Sequence, residues 1–111
     1  MKILTAAFYI EGGNQLIHGP AIEHKGMIWL ITGWVVNQTG QSAKPKRLIA
    51  LNAFQMQQMP ENNNLGVEVA VGYPIPKGLF EDPIPSQIAG KFPVLEAPDI
   101  TILASDIPTR H

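Results

Sequence analysis

Cysteine is absent from this chain of 111 residues. Its absence excludes a disulfide framework, a zinc site built on thiolates, an iron–sulfur cluster and a cysteine nucleophile. Charged residues are also scarce, because they make up 15% of the chain, whereas an average globular protein has about 25%. The formal net charge is -1. This balance argues against a nucleic-acid-binding protein, which ordinarily carries a basic surplus.

The chain also lacks a hydrophobic run long enough to cross a membrane. The longest nearly apolar stretch covers residues 27–36, whereas a spanning helix needs about 20 residues. Residues 3–10 are apolar and follow Lys2, but Glu11 stands where a secretory signal would have small residues at a cleavage site. We therefore predict that residues 3–10 form a strand, that the protein is not a membrane protein, and that it is cytoplasmic.

Glycine and proline are abundant, with ten of each, and their density interrupts helices and favours short strands joined by turns. No window has a 3.6-residue apolar period over three turns. The sequence therefore predicts an all-β protein with one domain over residues 1–111. We expect five or six mostly antiparallel strands in a small sheet or partly open barrel. The alternative is an α+β fold in which residues 55–59 or 86–90 form fuller helices.

Two stretches, residues 27–36 and 47–54, are apolar on both faces of a strand. This pattern predicts central strands that are buried on both sides. The residues between them, 37–46, are polar and predict a loop. Residues 24–26 predict a hairpin turn, in which Gly26 can adopt the left-handed conformation.

Other segments predict strands at the edge of a sheet. Residues 15–23 are interrupted by Gly19 and Pro20, and because proline cannot donate a ladder hydrogen bond, they predict an edge strand or a bulge. Residues 99–104 predict a final edge strand. Residues 66–73 alternate, and we expect four side chains to point inward: Val67, Val69, Val71 and Tyr73.

Six of the ten prolines lie in residues 73–98, where the motif Pro-Ile-Pro occurs twice, beginning at Pro74 and at Pro83. Alternate prolines hold the backbone extended and keep it out of a central ladder. We predict that residues 73–98 wrap over the sheet and fill gaps with their Ile and Leu side chains. Residues 105–111 are predicted to be a flexible tail.

Motifs of known chemistry are missing from the chain. It contains neither HxH nor HExxH, so no metal site is predicted. It has no GxSxG, GxGxxG or GxxxxGK pattern, so no nucleophile elbow and no phosphate-binding loop is predicted. We expect no cofactor, leave any catalytic residues unassigned, and favour a protein that is not an enzyme.

A binding site is predicted from aromatic, polar and small residues. Gly66 and Gly72 lie on the outward face of their strand, where small residues allow a ligand or another backbone to approach. The expected pocket opens beside Trp34 and this glycine face. The candidate ligand-binding residues are Trp34, Tyr73, His24, Arg47 and Glu68.

Three functions remain open at this stage. The favoured one is a non-catalytic binding or protein-interaction module that forms a homodimer, because charge is sparse and the predicted edges at 15–23 and 99–104 lack guarding lysines. A small-molecule-binding barrel or small enzyme with the pocket described above is the alternative. A small barrel that binds single-stranded nucleic acid is the third, supported by a basic cluster and opposed by the overall charge. The cluster consists of Lys44, Lys46 and Arg47.

Overall fold

The computed structural model describes residues 3–59 and 67–107. Within these ranges the chain forms strands and short 3₁₀ turns, and no helix reaches seven residues. The strands are β1 Ile3–Phe8, β2 Ile17–His24, β3 Met27–Ile31, β4 Trp34–Val36, β5 Ser42–Pro45, β6 Arg47–Ala50, β7 Met56–Gln58, β8 Glu68–Val71, β9 Val94–Glu96 and β10 Ile102–Leu103. The 3₁₀ turns are Leu51–Ala53, Lys77–Phe80 and Ala104–Asp106. The predicted all-β class is confirmed.

The strands form two sheets, and neither closes into a barrel. The larger sheet has seven strands in the order β7-β8-β1-β2-β3-β6-β9, and the smaller has three in the order β10-β5-β4. All neighbouring pairs are antiparallel except β1 and β8. The α+β alternative is not adopted, because residues 56–58 form β7 and residues 86–90 form turns.

The sheets are joined by one bent hairpin, which accounts for β4 and β5, two of the strands beyond the expected five or six. The predicted single strand 27–36 divides at Gly33, whose φ is +86°, a conformation that glycine adopts without steric cost. The predicted loop 37–46 contains β5, which pairs with β4. Lys46 donates its N–H to the Gly33 carbonyl at 3.0 Å and accepts from Ala97 N–H at 2.8 Å. The Lys46 backbone therefore bonds to Gly33 on one side and to Ala97 on the other, at the point where the hairpin leaves the large sheet.

Hydrophobic clusters cover both faces of the large sheet, because successive strand residues point to opposite sides. The wrap-side core consists of Leu4, Ala6, Phe8, Ala21, Ile28, Leu30, Ile49, Leu51, Phe54, Val69, Val71, Ile75 and Leu79. The small-sheet core consists of Ile22, Trp29, Ile31, Leu48, Ala50, Ile100 and Ile102. β3 and β6 contribute to both clusters, so burial on both sides is confirmed for Met27–Ile31 and Arg47–Ala50. It is wrong for β4, where Val35 and Val36 are 56% and 60% exposed.

The predicted edge position of residues 15–23 is also wrong. β2 pairs with β1 on one side and with β3 on the other. Pro20 is opposite Thr5 of β1, and it lies just beyond Ala21, where the pairing with β3 ends. A proline fits there because no β3 residue is opposite it to need its missing N–H.

The proline-rich segment packs along the wrap-side core. Ile75 and Leu79 are fully buried within this core. The Phe80 ring stacks on Phe8 with centroids 6.2 Å apart, and the Phe92 ring stacks on Phe54 at 5.1 Å. The segment also supplies β9, which pairs with β6 at one edge of the large sheet.

The C-terminal part of the described chain lies against the opposite face. β10 occupies an edge of the small sheet, as predicted for residues 99–104. Residues 104–106 form a 3₁₀ turn, and Ile107 packs against the small-sheet core. The rest of the predicted flexible tail, residues 108–111, lies outside the described residues.

Candidate functional site

A cleft of about 710 Å³ opens at the bend where the hairpin passes between the two sheets. This volume falls in the range of small-molecule sites, about 300–1,000 Å³. The cleft is bounded by the bend itself, by the outward face of β4 and β5, and by the chain after the Lys77–Phe80 turn and β9. Its lining residues are Thr32, Gly33, Val35, Lys44, Pro45, Lys46, Arg47, Phe80, Asp82, Glu96, Ala97 and Pro98.

Arg47 is the most firmly held polar residue of the cleft. Its side chain is 8% exposed, and its Nε donates to Glu96 Oε1 at 2.5 Å. Nη1 donates to the carbonyls of Leu79 and Glu81 at 2.9 and 2.7 Å. The planar guanidinium, with five donors in a fixed fork, can satisfy these three acceptors at once. These hydrogen bonds therefore connect the end of the Lys77–Phe80 turn to Arg47 of β6 and Glu96 of β9.

The second terminal nitrogen of the Arg47 guanidinium, Nη2, takes no part in these three hydrogen bonds. Nη2 lies 3.8 Å from Asp82 Oδ1, which is beyond hydrogen-bond distance. The Asp82 side chain is 92% exposed, so solvent screens this ion pair strongly. Throughout residues 3–59 and 67–107, no buried side-chain nitrogen or oxygen lacks a hydrogen-bond partner. Arg47 is one of the residues that line the cleft, so its guanidinium borders the cleft beside Asp82.

The two lysines that line the cleft differ in their surroundings. Lys44 Nζ lies 2.9 Å from Asp99 Oδ1, in a pair whose side chains are 54% and 94% exposed. In the described part of the chain, none of the ion pairs includes Lys46. The Lys46 stem runs across the bend, because a Cβ built on Gly33 would lie 2.9 Å from Lys46 Cδ. The glycine at position 33 thus makes room for the lysine.

The rest of the cleft is mainly apolar and has a constrained backbone. Val35, Pro45, Phe80, Ala97 and Pro98 supply its hydrocarbon surface. Ala97 has a φ of +46°, a left-handed conformation that is uncommon for a residue other than glycine. The hydrogen bond from Ala97 N–H to the Lys46 carbonyl fixes this residue beside the bend. Apolar walls with a few fixed polar groups are typical of ligand sites.

The hydroxyl group and one of the carboxylates that line the cleft are held in hydrogen bonds. Thr32 has the one hydroxyl among the lining residues, and it donates to the Arg47 carbonyl at 3.3 Å. The Glu96 carboxylate is bound to Arg47. Across residues 3–59 and 67–107, no three His, Asp or Glu side chains form a group that could hold a metal ion.

No protein-family model, curated protein or solved structure matches the chain. The cleft must therefore be interpreted from its own geometry. In the described ranges, none of the helical segments is long and apolar enough to cross a membrane. The cytoplasmic location stays a prediction.

Of the five predicted ligand-binding residues, the structure places Arg47 in the cleft and Trp34 next to it. Gly33 and Val35 line the cleft on either side of Trp34 in the sequence. The half-buried Trp34 side chain packs against the small-sheet core. Trp29 is 6% exposed in that core, and its indole N–H donates to the His24 carbonyl at 3.0 Å.

The other three predicted residues are not among those that line the cleft. His24 lies at the end of β2, beside the turn formed by Lys25 and Gly26, where the predicted left-handed Gly26 is confirmed at φ +77°. Glu68 is opposite Thr5 on β1. Tyr73 is 60% exposed, so its predicted inward orientation is wrong. The Tyr73 backbone lies beyond the end of β8, where the strand alternation no longer applies.

The predicted glycine face does not meet the cleft in the described residues. Gly66 lies outside those residues. Gly72 donates its N–H to the Gln55 carbonyl, and a Cβ at Gly72 would lie 2.8 Å from that oxygen. A close backbone approach was one of the two expectations for this position, and the approaching backbone is that of Gln55.

Sequence reasoning missed the residues that the chain after position 79 brings to the cleft. At least 30 positions separate these residues from the bend at Gly33 and Lys46: Phe80, Asp82, Glu96 and Pro98. One of them, Glu96, pairs directly with Arg47 in the β6–β9 register. No local pattern places such distant segments together. The usable signal was the single arginine at the start of a strand that is otherwise apolar.

Proposed function

We propose that this chain is a non-catalytic binding module and that the cleft at the hairpin bend is its ligand site. The observation that carries the proposal is an apolar cleft of about 710 Å³ beside a guanidinium held by three hydrogen bonds. Polar groups that are fixed before binding lose little conformational entropy when a ligand arrives. The proposal combines two predictions from the sequence: that the chain is a binding module, and that a pocket opens beside Trp34.

A titration with octan-1-ol, a neutral apolar probe, tests the cleft as a binding site. We expect backbone amide resonances of Gly33, Val35 and Ala97 to shift in a saturable manner as the alcohol is added. Replacing Val35 with serine should weaken binding, because it removes apolar contact surface from the cleft. Leu103→Ser is the matched control, since Leu103 is 57% exposed and Val35 is 56% exposed. Saturable shifts that spare the cleft would refute the assignment.

Self-association is a second candidate function, favoured by the open edge of β4. Asn37 N–H donates to the Ser42 carbonyl at 2.9 Å and Lys46 N–H to the Gly33 carbonyl at 3.0 Å. Because hydrogen-bonding directions alternate along a strand, Trp34 and Val36 turn their backbone groups to the open side. Unpaired N–H and C=O groups beside an exposed Val36 form an edge that can pair with a second copy. Antiparallel pairing of two β4 strands would give a symmetric dimer with a six-stranded sheet.

Light scattering after size-exclusion chromatography tests this dimer. We expect the wild-type chain to have the mass of a dimer at micromolar concentrations. Val36→Lys should yield monomers, because a lysine on an edge strand disfavours pairing. Leu103→Lys, which adds the same charge at the opposite edge of the small sheet, should leave the dimer intact. A monomeric wild-type chain, or dissociation by Leu103→Lys alone, would contradict the proposal.

A further inference from the structure

Some charged side chains of the cleft have a close partner of opposite charge and others do not. The side chains without a close partner indicate what the cleft binds. Lys44 is paired with Asp99, and Arg47 Nε with Glu96. Lys46 remains as a cation that the ion pairs of the described chain do not include. Asp82 remains as an acid that is 92% exposed and only loosely associated with Arg47.

Two cationic side chains line the cleft and have donors outside these close pairs. Arg47 Nη2 belongs to a side chain that is more than nine-tenths buried, and it lies 3.8 Å from Asp82 Oδ1. Lys46 lines the same cleft, with its stem packed along Gly33. A guanidinium whose other donors are fixed presents the remaining N–H groups in a set direction. Such groups bind a carboxylate through charge-assisted hydrogen bonds.

We propose that the ligand of the cleft carries a carboxylate on an apolar body. The carboxylate accepts from Arg47 Nη2 and is attracted by Lys46, and it takes the position near Nη2 that Asp82 holds loosely. The apolar body lies against Val35, Phe80 and Pro98. This inference rests on the proposed function, because it names the ligand class of the same cleft.

A cationic ligand is disfavoured by the same geometry. Glu96 already accepts a hydrogen bond from Arg47, so its charge is compensated. The Asp82 carboxylate is almost fully solvated, and an exposed ion pair contributes little free energy. An ammonium group entering the cleft would also meet Lys46 and the Arg47 guanidinium.

Calorimetric titrations with three probes of equal chain length test the proposal: sodium octanoate, octan-1-ol and octylammonium chloride. We expect octanoate to bind about tenfold more tightly than octan-1-ol, as a charge-assisted hydrogen bond allows. Octylammonium should bind more weakly than the alcohol. Lys46→Met should lower the ratio of octanoate affinity to octan-1-ol affinity about threefold, because it removes the charge that attracts only the carboxylate. Lys91→Met, at an exposed lysine outside the cleft, is the matched control.

Asp82→Asn should tighten octanoate binding about threefold, because it removes the acid that competes for Nη2. Equal affinities for octanoate and octan-1-ol in the cleft would overturn the carboxylate inference while the proposed binding function stands. Tighter binding of octylammonium would also overturn the inference. If none of the three probes binds in the cleft, the proposed function falls as well.

Discussion

Replacing Arg47 with methionine is expected to lower the free energy of unfolding by about 3 kcal/mol. Methionine preserves much of the hydrocarbon stem but removes every donor. The buried guanidinium bonds to the carbonyls of Leu79 and Glu81, and an acceptor that loses its partner costs about 1–3 kcal/mol. Thermal or urea unfolding followed by circular dichroism measures the loss.

The environment of each acceptor sets this magnitude. Leu79 is 1% exposed, so water cannot readily replace the donor to its carbonyl. Glu81 is exposed, and Glu96 has a side chain that is 58% exposed. Water can solvate both of these residues in the variant, so most of the expected loss comes from the Leu79 carbonyl.

Lys44→Met is the matched control for Arg47→Met. Lys44 lies on β5, the strand that precedes β6 in the sequence, and it also contacts one carboxylate. Both side chains of that pair are largely exposed. Exposed pairs contribute about 0–1 kcal/mol, so this variant should unfold almost as the wild type does. A loss below about 1 kcal/mol in Arg47→Met would contradict the role assigned to the guanidinium.

Replacing Gly78 with alanine is expected to destabilise the chain by about 1 kcal/mol through overpacking. A Cβ at Gly78 would lie 2.2 Å from Ile88 Cδ1 and 3.3 Å from Pro85 Cδ. Gly78 belongs to residues 74–79, the stretch that begins with the first Pro-Ile-Pro motif, and Pro85 and Ile88 belong to residues 83–88, the stretch that begins with the second. The two similar stretches therefore pack against each other at this glycine, and the new methyl group must displace the Ile88 side chain.

A double-mutant cycle makes this prediction specific. Ile88→Val removes the Cδ1 atom that the new methyl group would strike, so Gly78→Ala should be almost neutral in that background. Gly19→Ala is the control, because its Cβ would be in ordinary contact, 3.4 Å from Leu30 Cδ1. We expect this control to be almost neutral. Equal costs for Gly78→Ala with and without Ile88→Val would show that the two stretches do not pack as described.

The sequence predicted the parts of the fold that local patterns control. The alternation of apolar residues in 67–71 correctly predicted that Val69 and Val71 are buried, and they are 0% and 7% exposed. Apolar residues on both faces of 27–31 correctly indicated a strand covered on both sides. Gly26 was correctly placed in a tight turn because few other residues adopt its conformation.

The errors arose where tertiary pairing overrides local pattern. Residues 27–36 were predicted as one central strand, but the strand ends at the bend at Gly33, and β4 beyond it is an exposed edge. Pro20 suggested an edge, yet an interior strand accommodates it beyond the last β3 pair. Pro45 lies in the central strand of the small sheet, opposite Trp34. Lys46 N–H donates to the Gly33 carbonyl and Asn37 N–H to the Ser42 carbonyl. Because hydrogen-bonding directions alternate along a strand, the ring nitrogen of Pro45 faces away from β4.

The cleft depended on contacts that no local pattern encodes. Arg47 was predicted as a polar contact of a pocket beside Trp34, and its local signal is a charge at the start of an apolar strand. Its ties to Leu79, Glu81 and Glu96 join segments 32 to 49 positions away. These hydrogen bonds bring Phe80 and Asp82 to the bend. A single sequence carries no signal for residue pairs at such separations.

Isotope-filtered nuclear Overhauser spectroscopy of the octanoate complex tests the central claim most directly, because it reports which protons touch the alkyl chain. The account predicts contacts from the octanoate methylenes to the methyl groups of Val35 and Ala97 and to the Phe80 ring. Contacts confined to exposed aromatic rings elsewhere, such as Tyr9 and Tyr73, would contradict the claim that the hairpin bend is the ligand site.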